Sequence, residues 1–400
     1  MSAPRAYLDH AATTPVHPEA VAAMTEVLGD VGNPSSLHAA GRCARKRVEE
    51  SRESIAGSLG ARPGEVVFTG GGTEADNLAV KGIYWARRSA DPRRTRIIAS
   101  AVEHHAVLDP AQWLADAQGA TVEWIPVDAT GRLNVEALRT AIEDDPSTVA
   151  LVTVMAANNE VGTIQPVADV VAAAHEYDIP VHSDAVQAVG VGPVDFGASG
   201  VDAMTVTAHK IGGPPGMGAL VVRRDLDVMP VLHGGGQERD VRSGTIDAAG
   251  AAGMAAAFSV TMAARAGIVP RLQRLRARLV QGILDAVPDA VHNGPPTVAD
   301  AVPGIAHFSF PGCEGDALLL LLDAVGIEVS TGSACTAGVP QSSHVLLAMG
   351  IEPDVARGSL RFSLGWTSTD DEIDAVIEAM PSVVERARAA GMINGVRSAS

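Results

Sequence analysis

The sequence predicts an α/β protein, with a large domain on a doubly wound, mostly parallel sheet and a smaller α+β domain. Three observations carry this. Short apolar runs alternate with helical patterns through the first two thirds of the chain. Chemically capable residues stand directly after several of those runs. The pattern then changes near residue 260.

The first run, "EVVFTG" (65–70), precedes a helix from about Glu74, and "RIIAS" (96–100) follows that helix. "TVALVTVM" (148–155) is continuously apolar, as expected of a strand buried on both faces. "IPVHS" (179–183), "AMTVTA" (203–208) and "GALVVRR" (218–224) continue the series. Past residue 260, "RLQRLRARLVQGILDAV" places Leu272, Leu275, Leu279 and Ile283 at helical spacing with arginines between them. It reads as a connecting helix with one buried face. "GIAHFSF", a leucine helix, "GIEVSTGS", "SLRFSLG" and a last helix make up the smaller domain, and the tail is expected to fray after about Arg388.

Composition narrows the function. A length of 400 residues is too long for one small core, and 46% hydrophobic with 19% charged residues is ordinary for a soluble enzyme. A net charge of −17 opposes non-specific nucleic-acid binding and docking on anionic lipid. "ALLLLLDAVGI" is short and interrupted by Asp323, so it reads as a buried helix and not a membrane span. The opening "MSAPRAYLDHAATTPVHP" has no apolar signal core, and Cys43, Cys313 and Cys335 cannot form a disulfide framework. A reducing cytoplasm is the expected location.

Open α/β sheets bind ligands beyond the carboxyl ends of their strands. There the runs deliver "GGTEADN", "AVEHHAV", "AANNEVG", Asp184 with "AVQAVG", and "HKIGG". Thr73, His104, Asn158, Asp184, Gln187, His209 and Lys210 should therefore share one edge. Gly70, Gly71, Gly72 and Thr73 open a helix, which suits a phosphate or is simply a turn. His104 is a structural histidine or a flat ring that stacks and moves protons. Asp184 is a helix N-cap or the partner of a protonated pyridine nitrogen. Lysine is rare: 27 of the 30 basic residues are arginine, leaving Lys46, Lys81 and Lys210. A lysine and an acid at adjacent strand ends are the two protein groups a pyridoxal phosphate enzyme needs. Arginine could not replace the lysine, because a guanidinium stays protonated and forms no imine.

"STGSACTAGVPQSS" (330–343) surrounds Cys335 with turn-formers and gives it little to pack against, which points to a reactive thiol on an exposed loop. Cys43 and Cys313 read as bystanders. Scattered cysteines without a CxxC give no dedicated metal site.

These residues resemble a known family. "YLDHAATTP", "GGTEADNLAVKG", "VEHHAVLD", "NNEVGTIQP", "SDAVQAVG", "AHKIGGPPGMGAL", "HGGGQERDVRSGT", "STGSACTAG" and "GSLRFSLG" occur in the order seen in cysteine desulfurases of the IscS/NifS branch. The resemblance runs from about Tyr7 to Leu364. It implies a fold-type I pyridoxal phosphate transferase of the class V aminotransferase superfamily, a homodimer acting on L-cysteine. Lys210 would bond the cofactor, Asp184 would pair with its ring nitrogen, Gln187 would bond its ring hydroxyl, and His104 would stack on it. Gly72, Thr73, Thr207 and His209 would hold the phosphate, with Thr245 reaching in from a second subunit. Asn158 would contact the cofactor and, with Arg361, bind the substrate carboxylate. Cys335 would accept the sulfur as a persulfide and serve at most as a transient iron–sulfur ligand. The sulfur would pass to proteins of iron–sulfur cluster assembly, tRNA thiolation, or both. The implied division is 15–260 for the large domain and 1–14 with 261–400 for the small one, which carries the cysteine loop.

Thr207-Ala208 stands where serine and glycine are commoner, and His105 where lysine is common. The tail "ARAAGMINGVRSAS" does not resemble the scaffold-docking tail of known relatives. The neighbouring readings are a selenocysteine lyase or another class V aminotransferase, and, from another class, a non-enzymatic persulfide or iron–sulfur carrier. A transaminase has no use for Cys335, and a carrier has none for Lys210.

Overall fold

A computed structural model describes residues 6–192, 194–331 and 342–398, with side chains as far as residue 390. The chain begins with β1 (Ala6–Tyr7), α1 (Pro18–Leu28), α2 (Ala39–Ser58), β2 (Val66–Thr69), α3 (Gly72–Ala90), β3 (Arg96–Ser100), α4 (His105–Gln118) and β4 (Thr121–Ile125). It continues through α5 (Val135–Asp144), β5 (Val149–Thr153), α6 (Val167–His175), β6 (Val181–Asp184), α7 (Phe196–Ser199), β7 (Ala203–Thr207), β8 (Gly218–Val222) and α8 (Ala248–Ala286). Last come β9 (Val291–Asn293), β10 (Ile305–Ser309), α9 (Gly315–Asp323), β11 (Ile327–Glu328), α10 (His344–Ala348), α11 (Pro353–Arg357), β12 (Ser359–Ser363) and α12 (Asp370–Ser398).

Seven strands form the main sheet in the order β2-β8-β7-β6-β5-β3-β4. Among them β8 alone runs against its neighbours. Helices cover both faces, so the central strands β5, β6, β7 and β8 are buried along their whole length. On β5, Val149 and Val152 join one core while Leu151 faces another across the sheet. The arrangement is the doubly wound α/β fold expected.

A second core gathers Leu8, the α8 residues Leu272, Leu275, Leu279 and Ile283, the phenylalanines of β10 and β12, and the inner face of α12. An antiparallel sheet, β12-β10-β9, and the short parallel pair β1-β11 belong to it. Each of those α8 side chains is essentially removed from water, worth about 1.5–3 kcal/mol apiece.

Two features go beyond the sequence pattern. The pattern shift near residue 260 falls within one helix, because α8 runs unbroken from Ala248 through Pro270 to Ala286. Its first half packs on α1 and α2 and its second half on α12, so two different environments impose two patterns on one helix. By length and composition α8 could cross a membrane, but Ala249, Met254 and Phe258 are buried in the main core. The last helix does not stop at Arg388 but reaches Ser398. The Arg388 side chain is itself held by Pro311 O at 3.0 Å and Asp289 at 2.6 Å.

β2 is an edge strand, and its outward backbone groups are covered by charge. Arg52 donates to Val66 O at 2.7 Å, and the Phe68 N–H donates to Glu238 Oε2 at 2.9 Å. Arg52 and Glu238 pair in two bonds of 2.7 and 2.8 Å, with the guanidinium 4.8 Å from the Phe68 ring centre. Both are buried, so the pair closes the edge against strand addition and ties the loop near Glu238 to the sheet. Arg52→Ala should leave Glu238 buried and unpaired, costing about 3–5 kcal/mol in urea unfolding. A loss under about 1 kcal/mol would show the pair to be no more than a surface bridge.

Candidate active site

β6 and β7 are parallel neighbours, with Asp184 beside Thr205, so their carboxyl ends open on one edge. There a cavity of about 380 Å³ is lined by Gly72, Thr73, His104, Asp184, Gln187, Thr207, His209, Lys210 and Arg361. The size suits a small organic cofactor or substrate.

Lys210 lies just past β7. Its Nζ donates to the Ala11 carbonyl and to Ala12 O at 2.8 Å. Burial and the Arg361 guanidinium push its pKa down to about 8, against the pull of Asp9 and Asp184. A neutral, nucleophilic amine is therefore accessible near physiological pH. Asp184 ends β6 and is 5% exposed. Its Oδ1 accepts the Val186 N–H at 2.9 Å, capping a turn and not a helix. Burial pushes its pKa up to about 6, tempered by the Val186 N–H and the Lys210 charge.

Gly71, with φ 138°, adopts a conformation open to glycine and leads into α3 at Gly72. A Cβ on Gly72 would lie 3.2 Å from Val186 Cγ2 and 3.6 Å from the Thr207 Cβ. The helix N-terminus thus approaches the end of β7 closely, leaving its N–H groups and Thr73 at the cavity mouth. Thr207 donates its hydroxyl to Met217 O at 3.1 Å and must turn to donate to an anion. His209 sits 3.4 Å from Thr13 Oγ1, and burial and then the Lys210 charge lower its pKa to about 4.

His104 takes the structural role foreseen for it. It caps α4, its Nδ1 accepting the Ala106 N–H at 3.1 Å, while the ring stands open to the cavity. Desolvation, then Lys210, push its pKa down to about 4, so the ring is neutral. Gln187 reaches the wall with its amide donated to Ala11 O at 2.8 Å. Arg361, in the middle of β12, donates to Asn159 O at 2.8 Å and to Asp9 at 2.9 Å. Its buried Nε has no partner among the described residues.

Three expected residues are not brought to this wall. Asn158 is fully buried behind it: its amide donates to Val102 O at 3.0 Å and its carbonyl accepts the N–H groups of Glu160 and Val161 at 2.9 Å. It braces the loop, and its neighbour Asn159 lines the cavity. Thr245 is exposed at the surface, away from this chain's cavity. Cys335 lies outside the described residues, though Ser330 and His344 on either side of it line the cavity. Cys313 is buried in the second core and Cys43 is exposed on α2.

Sequence reasoning passed over Asp76, Glu103, Asp9 and His344. Asp76 lines the cavity one helical turn from Thr73, a spacing that could have been read. Glu103 is fully buried, accepting the Met155 N–H at 2.7 Å, and its carbonyl lies 2.9 Å from His344 Nε2. Among the described residues no group of His, Cys, Asp and Glu could hold a metal ion.

The class-V aminotransferase family profile matches residues 6–376. An IscS-like cysteine desulfurase of Mycobacterium tuberculosis is 58% identical over 97% of this chain and 98% of its own. A cysteine desulfurase IscS of Methanosarcina thermophila is 41% identical over 96% of this chain and 92% of its own. Among solved structures, a NifS-like protein superposes with a TM-score of 0.87 at 34% identity, covering 95% of this chain and 99% of that one.

In the purified apo-protein, reductive methylation of Lys210 should be half-maximal near pH 8. A midpoint at the ordinary lysine value, about 10.4, would show the amine to be solvated.

Proposed function

This chain belongs to the class-V aminotransferase family and, within it, to the pyridoxal phosphate-dependent cysteine desulfurases, and we propose that Lys210, Asp184 and Cys335 carry its reaction. The observation that supports this reading is a half-buried amine and a buried acid brought to one cavity from adjacent strand ends.

The residues present fit pyridoxal phosphate. The close approach of Gly72 to Thr207 makes a cradle for the phosphate, with Thr73 and His209 at its rim. Asp184 would hold a ring nitrogen protonated, Gln187 would bond a ring hydroxyl, and the neutral His104 ring would stack on it; all three line the cavity. When bound, the cofactor supplies an electron sink for the pair left on the substrate Cα. Lys210 would hold it, and the free Lys210 amine would take the Cα proton of L-cysteine. Arg361 holds the substrate carboxylate.

Cys335 then attacks the substrate sulfur. The new S–S bond forms as Cβ–Sγ breaks, the pair of that bond stays on the three-carbon fragment, and protonation there releases alanine. Cys335 is five residues beyond Ser330 on the cavity wall, a reach of at most about 17 Å. The persulfide passes to an acceptor protein of cluster assembly or tRNA thiolation in the cytoplasm. A second copy of the chain contributes Thr245 to the phosphate. The two cores support a division at about residue 260, with α8 bridging it.

Lys210→Ala should lower alanine release from L-cysteine by about 10²–10⁴-fold, the range of a lost general base. Release at the wild-type rate would remove Lys210 from the reaction. After one turnover with sulfur-labelled L-cysteine, mass spectrometry should map the persulfide to Cys335. Label on Cys43 or Cys313 would overturn its assignment.

A further inference from the structure

One buried acid on the cavity wall has no part in the proposed desulfuration. Asp76 stands on the first turns of α3, 1% exposed, and its Oδ1 has no hydrogen-bond partner among the described residues. An ionised carboxylate so placed is costly, because nothing replaces the water it loses.

A polar chain runs behind it through the sheet. The Thr205 hydroxyl lies 3.0 Å from His182 Nε2 and, beside the Asp76 carboxyl, favours its charged form without offsetting the burial. His182 Nδ1 is 2.9 Å from Thr153 Oγ1, and Asp76 Oδ1 is 3.6 Å from His182 Nε2. His182 is fully buried, and desolvation pushes its pKa down to about 3, so the ring is neutral with one donor and one acceptor. The neutral His182 ring, engaged by both threonine hydroxyls, offers Asp76 no compensating positive charge. His182 and Asp184 are two residues apart on β6 and share a face, so the chain underlies Asp184.

Three carboxyls meet here. Burial pushes Asp76 and Glu103 well above the usual carboxylate range, and the charge of Asp184 pushes both further. Facing them are the Lys210 amine, partly neutral, and the neutral rings of His104 and His182. So few cations cannot balance three negative charges, and the acids with fewest donors keep their protons. Asp184 has the Val186 N–H and faces Lys210, whereas Asp76 presents a bare oxygen.

We propose that Asp76 is a positioning residue: set beside Thr205 and His182, it keeps a proton beside Asp184, so that the negative charge of the site is confined to the acid that faces the cofactor ring nitrogen. This rests on the pyridoxal phosphate reading of the cavity.

Infrared spectra of the purified full-length protein at neutral pH test it without reference to turnover. The wild type should show a carboxylic-acid C=O band that disappears in Asp76→Asn. In turnover, Asp76→Asn, a neutral isostere, should retain about tenfold more kcat than Asp76→Ala, which leaves Thr205 without its partner. An unchanged acid band in Asp76→Asn, or equal kcat in the two variants, would overturn the inference. A wild type lacking visible cofactor absorbance would instead overturn the cofactor reading, and this inference with it.

Discussion

The site depends on holding one amine in a dry place between acids. Lys210 is kept partly neutral by burial and by Arg361, while Asp9 and Asp184 hold it back from full deprotonation. Neither limit is useful: a fully solvated lysine is protonated near neutral pH, and one buried without acids loses its charge-pairing. The fold sets the balance by ending β6 and β7 side by side, so that amine and acid are brought together by backbone pairing and not by side-chain flexibility.

The remaining groups depend on that placement. Lys210 Nζ rests on the Ala11 and Ala12 carbonyls, so the segment just past β1 reaches into the site. Arg361 comes from the opposite side, on β12, pinned by Asp9 of that same segment. Ser330 pairs with the Arg361 backbone, its N–H 3.3 Å from Arg361 O, so the root of the cysteine loop is fixed to the residue that would hold the substrate. Substrate binding, amine chemistry and loop attachment thus share one small set of contacts.

Much of this was legible in the sequence because parallel strands are nearly continuous apolar runs, and the residues after each run must lie at one edge. Asp184, Lys210, Thr73 and His104 were found that way. Asn158 was misplaced because two adjacent asparagines in a turn look alike, and only the fold shows which one is spent on the backbone. Asp76 was missed because a polar residue in a helix reads as a solvent face, although here that turn of α3 packs into the sheet. The Arg52–Glu238 pair spans 186 positions, a separation at which no local pattern speaks. The continuity of α8 was hidden because its two halves pack against different cores.

The central claim is that Asp184 sets the charge state of the cofactor ring, and ring-nitrogen NMR tests it most directly. The full-length protein would be reconstituted with ¹⁵N-labelled pyridoxal phosphate, as wild type and as Asp184→Ala. A protonated nitrogen in the wild type and a neutral one in Asp184→Ala is the predicted result. The same nitrogen shift in both proteins would mean that Asp184 serves only its turn.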